Sequence, residues 1–238
     1  NGLASLHLQH VGSDRELWFG NPLALVGRLH DAAQDREAID RARDLRFALD
    51  QLLVEGGDFA PLIDAARIVA AGHSYGANTA LLAAGARVER QGRVVDLREP
   101  RVSAAIVLSA PPFYGEGDPA RILAPVTVPT LHVTATGDVI RIPGYYSGAE
   151  DRVAVFEATG SAAKALAVFD GGSHSMFTDR AGTGGTELNP QVKAATKALS
   201  LAFLRNVFGH GDTEALTLWA ERHRAILARF VGPKWASR

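Results

Sequence analysis

A serine flanked by two glycines stands in the pentapeptide GHSYG at residues 72–76, after an apolar run and before an alanine-rich one. On a strand, abrupt turn and helix, the pattern G-x-S-x-G presents a serine hydroxyl on a strained backbone. We expect glycine at positions 72 and 76 because side chains there would collide with the neighbouring strand and helix. The pattern predicts acyl transfer with Ser74 as the nucleophile. A tight glycine-serine turn without chemistry is the alternative.

The run of residues 77–84, followed by Gly85, is typical of a helix that starts just after Ser74. Such a helix directs the N–H groups of its first turn, and the positive end of its dipole, at the place where an oxyanion forms during acyl transfer. The backbone N–H of Tyr75 is therefore the expected oxyanion donor.

A base must accompany Ser74, because a serine hydroxyl is a weak nucleophile at neutral pH. Sites in open α/β sheets lie at the carboxyl ends of the strands, so the base and its orienting acid should follow later strands. His174 comes after the apolar run 165–169 and two glycines that would present its imidazole on a flexible turn. The other histidines lie inside predicted elements, between helices or ahead of Ser74, and His73 is expected to point elsewhere. His174 is the predicted base.

Asp138 is the predicted acid, since it follows the apolar run 130–135 and precedes the strand that leads to His174. Its carboxylate would accept the second imidazole N–H, which holds the tautomer and stabilises the imidazolium formed in the transition state. Asp170 and Asp151 are fallback acids: the first sits very near the base and the second lies in a helix-like segment. A solvated turn aspartate is the alternative interpretation of Asp138.

The elements that must position these residues are short apolar runs alternating with longer segments of helical period. This alternation predicts an α/β fold with a mostly parallel sheet covered by helices on both faces. The predicted strands are residues 4–10, 67–72, 103–109, 130–135 and 165–169. The predicted helices are residues 39–53, 77–84, 192–207 and 214–230.

Composition narrows the classes of protein and partner. The 238 residues fit one domain, and we expect residues 1–238 to form it. A net charge of -1 supplies no field to attract nucleic acid or an anionic membrane, and no apolar run is long enough to span a bilayer. Cys 0 excludes disulfides, thiolate zinc sites and a cysteine nucleophile, but identifies no compartment. The predicted chemistry requires no cofactor and no metal.

With these residues assembled, the chain resembles the α/β-hydrolase superfamily over essentially its whole length. The resemblance is carried by QHVGSD at residues 9–14, GHSYGA at residues 72–77 and GGSH at residues 171–174. These motifs look like those of the predicted dienelactone-hydrolase and platelet-activating-factor acetylhydrolase-like branch, with polyester hydrolases as more distant relatives. True dienelactone hydrolases use cysteine where this chain has Ser74, so the resemblance implies ordinary ester hydrolysis.

The chain departs from the family at its start. The family places a His-Gly loop, which supplies a second oxyanion N–H, after a strand upstream of the segment with which this chain begins. Residue 1 is Asn rather than an initiator Met, and no such loop is visible. Losing one oxyanion donor typically costs about 2.7–4 kcal/mol. We therefore expect an upstream segment of the same protein to complete the oxyanion hole and the sheet edge, leaving the present chain N-terminally incomplete.

The stretch of residues 110–128 is too short for a large helical lid, which predicts an open cleft without a lid domain. The residues expected to line it are Pro112, Phe113, Tyr114, Tyr145 and Tyr146. Plain packing is the alternative role of these side chains. Short or medium acyl esters, small or polymeric, are the expected substrates. An amidase, peptidase or acyl transferase with the same triad, and a non-catalytic binding module, are the competing hypotheses.

Overall fold

The computed structural model describes residues 2–10, 35–90, 92–113, 118–142, 145–178, 187–212 and 214–235. Tyr114 and residues 11–14 of the QHVGSD motif lie outside these ranges. The elements are α1 (Asp35–Val54), β1 (Ile68–His73), α2 (Tyr75–Ala84), β2 (Arg87–Arg90), β3 (Arg93–Asp96), β4 (Val102–Leu108), α3 (Pro119–Leu123), β5 (Thr130–Ala135), β6 (Ile140–Ile142), β7 (Tyr145–Ser147), α4 (Ala149–Ala158), β8 (Lys164–Phe169), α5 (Leu188–Val207), α6 (Glu214–Arg222) and β9 (Leu227–Val231). Short 3₁₀ helices span Gly57–Leu62 and Arg224–Ile226.

The central sheet has five strands in the order β1-β4-β5-β8-β9. The first four run parallel, with His73 of β1 opposite Leu108 of β4 and Ala135 of β5 opposite Phe169 of β8. β9 runs antiparallel to β8. The carboxyl ends of the four parallel strands therefore share one edge of the sheet, where the chain continues into the segments that carry the predicted site.

Helices cover both faces of this sheet, because neighbouring strand residues point to opposite sides. On one face Ala105 and Val107 pack in a core cluster with α2, whose residues from Ala77 to Ala84 are all buried. On the other face Ala104 and Ile106 pack with residues of α5 and α6. All six side chains of β5 are buried, so neither face of this central strand is exposed to solvent. The predicted α/β architecture is confirmed at this level, and four of the five predicted strands lie within one residue of their predicted bounds.

The predicted strand at residues 4–10 is wrong. Residues 2–10 belong to no helix or strand, and most of their side chains are exposed. Alternation of Leu6 and Leu8 with polar neighbours suggested a strand, but a strand also needs a partner for its backbone groups. No strand among the described residues pairs with this segment. A 2.7 Å contact between His10 Nδ1 and Asp44 Oδ2 connects it to α1.

The predicted helix at residues 214–230 is correct only in its first half. α6 ends at Arg222, where the imidazole Nδ1 of His223 lies 2.8 Å from the carbonyl of Trp219, and the chain then enters β9. Residues 227–231 fit either a helical or an alternating pattern, and pairing with the edge of β8 decides for the strand. The hairpins β2–β3 and β6–β7 were not predicted. No described helix combines the length and apolarity that crossing a bilayer requires.

The imidazole of His132, buried in β5, should make stability depend on pH. Burial, and secondarily the charge of Lys164, lower its pKa to about 3 from an ordinary value of 6.5. Between these values the unfolded chain binds the extra proton, so the contribution of neutral His132 is complete above pH 6.5 and is lost as the pH falls towards 3.

We expect the free energy of unfolding of His132→Leu to fall less steeply than that of the wild type as the pH is lowered from 6.5 to 4. The two slopes should differ by at most about 1.4 kcal/mol per pH unit. The substitution also removes the hydrogen bond between His132 and Thr130, but this loss should change the free energy of unfolding by the same amount at both ends of the pH range. Urea unfolding at half-unit pH steps measures the slope, with the exposed His7→Leu as control. An unchanged slope in His132→Leu would show that His132 is not the titrating group.

Candidate active site

Ser74 occupies the single-residue turn between β1 and α2. Its φ of 56° and ψ of −124° place a residue with a side chain in a region that such residues rarely adopt. The turn is held on both sides: the N–H of Ser74 donates to the carbonyl of Leu108 at 2.9 Å, and its carbonyl accepts from the N–H of Ala77 at 2.9 Å. Strain of this kind persists only where the surroundings fix the backbone, and it turns the hydroxyl out of the strand.

The two glycines around Ser74 have different roles. A Cβ on Gly72 would lie 2.1 Å from the carbonyl oxygen of Gly76 and 2.7 Å from the nitrogen of Ala77, so only glycine allows α2 to approach β1 this closely. A Cβ on Gly76 would meet no atom within 4 Å among those the structure places. The prediction that sterics require glycine is thus confirmed at Gly72. At Gly76 it is wrong as far as the described residues are concerned, because α2 turns that position away from the strand.

α2 directs its N-terminus at Ser74, as the sequence predicted, and Tyr75 is its first residue. The N–H groups of a first turn point towards the start of the helix, where they and the dipole favour negative charge. The guanidinium of Arg41 in α1 lies 4.7 Å from the centre of the Tyr75 ring, which ties the two helices together at this point. The role of the Tyr75 N–H as oxyanion donor stays a prediction.

The structure brings Ser74, His174 and Asp138 into one hydrogen-bonded row. Nε2 of His174 lies 2.7 Å from Oγ of Ser74, and Nδ1 lies 2.8 Å from Oδ1 of Asp138. A carboxylate only accepts, so Nδ1 carries the proton and Nε2 is the acceptor for the serine hydroxyl. His174 keeps 19% of its side chain exposed, while that of Asp138 is completely buried. The predicted convergence of the three side chains is observed.

The carboxylate of Asp138 is held ionised by its neighbours. Oδ2 accepts a hydrogen bond from Oγ1 of Thr134 at 2.7 Å, and Nη2 of the buried Arg152 lies 3.6 Å from Oδ1. Burial by itself would raise the pKa of Asp138, but the hydrogen bond to His174 and the charges of His174 and Arg152 outweigh it and lower the pKa to about 2. Asp138 is therefore an anion at neutral pH.

Neither fallback acid contacts the imidazole in the described residues. Asp170 lies 3.3 Å from the hydroxyl of Thr136. Asp151 accepts from the N–H of Gly148 at 2.9 Å and from the hydroxyl of Ser147 at 2.8 Å, which caps α4. Their positions leave Asp138 as the acid partner of the imidazole.

The loops that carry Asp138 and His174 are joined through their backbones. The N–H of Gly137 donates to the carbonyl of Gly171 at 2.9 Å, and the N–H of Gly171 donates to Oγ1 of Thr136 at 2.7 Å. A Cβ on Gly137 would lie 2.4 Å from the carbonyl oxygen of Gly172, so glycine is required at this crossing. The glycine turn before His174 is thus fixed in place by the acid loop.

His73 is the site residue that sequence analysis missed. The expectation that His73 points away from the site is wrong. Its Nε2 lies 2.7 Å from the carbonyl oxygen of His174, and the centres of the two imidazole rings lie 4.9 Å apart. Burial, followed by the charge of His174, lowers the pKa of His73 to about 4. Its place at the carboxyl end of β1, directly before the nucleophile, was the available signal.

The described members of the predicted pocket lie on two segments, the one that follows β4 and the β6–β7 hairpin. Phe113 packs against the core beside α1 and α2 and lines a shallow hollow to which no triad residue contributes. Tyr145 and Tyr146 lie on the β6–β7 hairpin, with Tyr146 57% exposed. Pro112 is half-buried, and Tyr114 lies outside the described residues. Contact of these side chains with a substrate stays a prediction.

Comparison with models of known protein families gives no match, and comparison with curated proteins gives none. Within the described ranges, no three His, Asp or Glu side chains are grouped as a metal site would require.

Gly72 and Gly76, on either side of the turn at Ser74, provide a matched pair of variants. Gly72→Ala places a methyl group against backbone atoms that have no freedom to move away, so we expect it to cost about 3 kcal/mol of stability or to prevent folding. Gly76→Ala enters open space near the start of a helix and should be neutral or stabilising by up to about 1 kcal/mol. Urea unfolding measures both. Equal losses would contradict the close approach of α2 to β1.

Proposed function

We propose that this protein is a serine hydrolase with an α/β-hydrolase fold, which cleaves carboxylic esters through an acyl-enzyme on Ser74. The observation that carries the proposal is the row of hydrogen bonds from Oγ of Ser74 through the imidazole of His174 to the carboxylate of Asp138, at 2.7 and 2.8 Å. Each link has the polarity that general-base activation of a hydroxyl requires.

In the proposed reaction, Oγ of Ser74 attacks the ester carbonyl while Nε2 of His174 removes its proton. Asp138 stabilises the imidazolium that results. The tetrahedral intermediate collapses as His174 passes the proton to the leaving alcohol, and Ser74 remains esterified. His174 then takes a proton from water, which attacks the acyl-enzyme, and returns it to Ser74 as the acid leaves.

The start of α2 supports the proposal by its placement. The intermediate carries negative charge next to Ser74, where the first-turn N–H groups and the dipole of α2 act without prior reorganisation. The N–H of Tyr75 is our candidate oxyanion donor, because Tyr75 directly follows the nucleophile and starts the helix. This environment favours a reaction that develops an oxyanion over a purely structural Gly-Ser turn.

The order of the site along the sheet supports the proposed fold. The nucleophile follows β1, the acid follows β5, and the base follows β8, all at the carboxyl edge of parallel strands. Nucleophile, acid and base in this chain order, with the serine on a sharp strand-to-helix turn, is the arrangement of α/β-hydrolases. Ser74 and His174 are half-buried, so both keep some contact with solvent.

Ser74→Ala tests the nucleophile. We expect p-nitrophenyl acetate and butyrate hydrolysis to fall to the background rate and labelling by a fluorophosphonate probe to disappear, while circular dichroism and thermal unfolding stay close to wild type. Removal of one hydroxyl leaves the strained backbone unchanged, so the fold should persist. The exposed Ser5→Ala serves as control, and wild-type turnover by Ser74→Ala would reject the assignment. Paired ester and amide substrates separate an esterase from an amidase that uses the same residues.

Asp138→Asn tests the acid. An amide at this position could donate to Nδ1 and thereby stabilise the wrong tautomer of His174, so kcat for the ester should fall by about 10³–10⁴. Asp170→Asn is the matched control, because Asp170 lies on the same pair of loops but contacts Thr136 instead of the imidazole. Steady-state rates of both variants decide the point. A larger loss in Asp170→Asn than in Asp138→Asn would reverse the roles of the two carboxylates.

A further inference from the structure

His73 fixes the main chain of the base from the side of the nucleophile. Its Nε2 lies 2.7 Å from the carbonyl oxygen of His174, and a carbonyl oxygen only accepts, so Nε2 carries the proton and donates. The rings of the two histidines lie 4.9 Å apart, tilted by 35°. Phe177 also packs against His73, with an edge contact at 5.8 Å between ring centres. These contacts fix the orientation of the His73 ring.

We propose that His73 is a positioning residue, which sets the distance between the imidazole of His174 and Oγ of Ser74 by donating a hydrogen bond to the His174 carbonyl. The proposal rests on the proposed function, since it assigns the residue a role in the same site. His73 and Ser74 are adjacent in the chain, so the tether couples the base directly to the backbone that carries the nucleophile.

The loop of the base explains why such a tether is needed. Gly171 and Gly172 precede His174 with φ of 75° and 74°, and glycine leaves the backbone many alternatives in the absence of fixed contacts. The acid loop holds Gly171 from one side, through the N–H of Gly137. The carbonyl of His174 lies three residues further on, and His73 holds it from the other side. Base, acid and nucleophile are then joined by the backbone hydrogen bond between Gly137 and Gly171 and by the side chain of His73, as well as by the triad itself.

A neutral donor suits this position. The reaction puts a positive charge on His174, whose ring is packed against that of His73, so a lysine or arginine donor would oppose it. The groups that act on His73 electrostatically are His174, Asp138 and Arg152, and burial is the largest influence on its pKa, which is lowered to about 4. His73 is therefore uncharged at neutral pH and contributes a hydrogen bond without a competing charge.

Two amide variants separate the tether from the general presence of a polar side chain. The amide nitrogen of Gln matches the reach of Nε2, whereas that of Asn is one methylene short. We expect kcat of His73→Gln to stay within about threefold of wild type, and kcat of His73→Asn to fall about tenfold with KM changed less than twofold. His73→Phe keeps an aromatic ring and loses the donor, and should behave as His73→Asn does.

A spectroscopic readout keeps this test independent of ester hydrolysis. The proton on Nδ1 of His174 that is shared with Asp138 should give a downfield proton resonance in wild type and His73→Gln, and should broaden or shift in His73→Asn and His73→Phe. Equal kcat and equal resonances in the Gln and Asn variants would overturn the proposal, as would a change in KM alone, which would make His73 a substrate contact. A wild-type protein with the resonance but no esterase activity would reject the proposed function, while the resonances of the variants would still decide the positioning role.

Discussion

The proton on Nδ1 of His174 decides what the rest of the site is able to do. A neutral imidazole carries one proton, and the contact with a carboxylate that only accepts assigns it to Nδ1. Nε2 is then a bare acceptor facing the hydroxyl of Ser74. This assignment holds only while Asp138 is ionised, because a protonated acid could donate and favour the other tautomer. The low pKa of Asp138, despite complete burial of its side chain, is thus a condition for the proposed chemistry.

The scaffold meets this condition by bringing three chain segments to one sheet edge and locking them to one another. The strain at Ser74 is of the order of 1–3 kcal/mol, and the burial of α2 on the sheet offsets it. At Gly72 and Gly137 the backbones around the site approach too closely for any side chain, at the first between strand and helix and at the second between acid loop and base loop. These contacts hold the main chain that carries the nucleophile, the acid and the base at close range.

Charge around the site is distributed so that one anion faces the imidazole. Arg152 is buried 3.6 Å from Asp138 and helps keep it ionised, but the same positive charge opposes formation of imidazolium on His174. His73 adds no second positive charge beside the base, because burial lowers the pKa of its imidazole and keeps it neutral. The guanidinium of Arg152 approaches the same carboxylate oxygen, Oδ1, as the imidazole of His174, so it acts directly on the anion that faces the base.

The sequence by itself determined the α/β class, four parallel strands, the turn at Ser74 and the identity of the three residues that converge, because these follow from local patterns and from chain order. It could not place residues 4–10 or 227–231, since a strand exists only through its partner: the first has none among the described residues, and the second gained one from β8. Which glycine is sterically required, where Phe113 packs and that His73 reaches the His174 carbonyl were decided by tertiary structure alone. Each depends on distances between segments remote in the chain, and no local pattern encodes such distances.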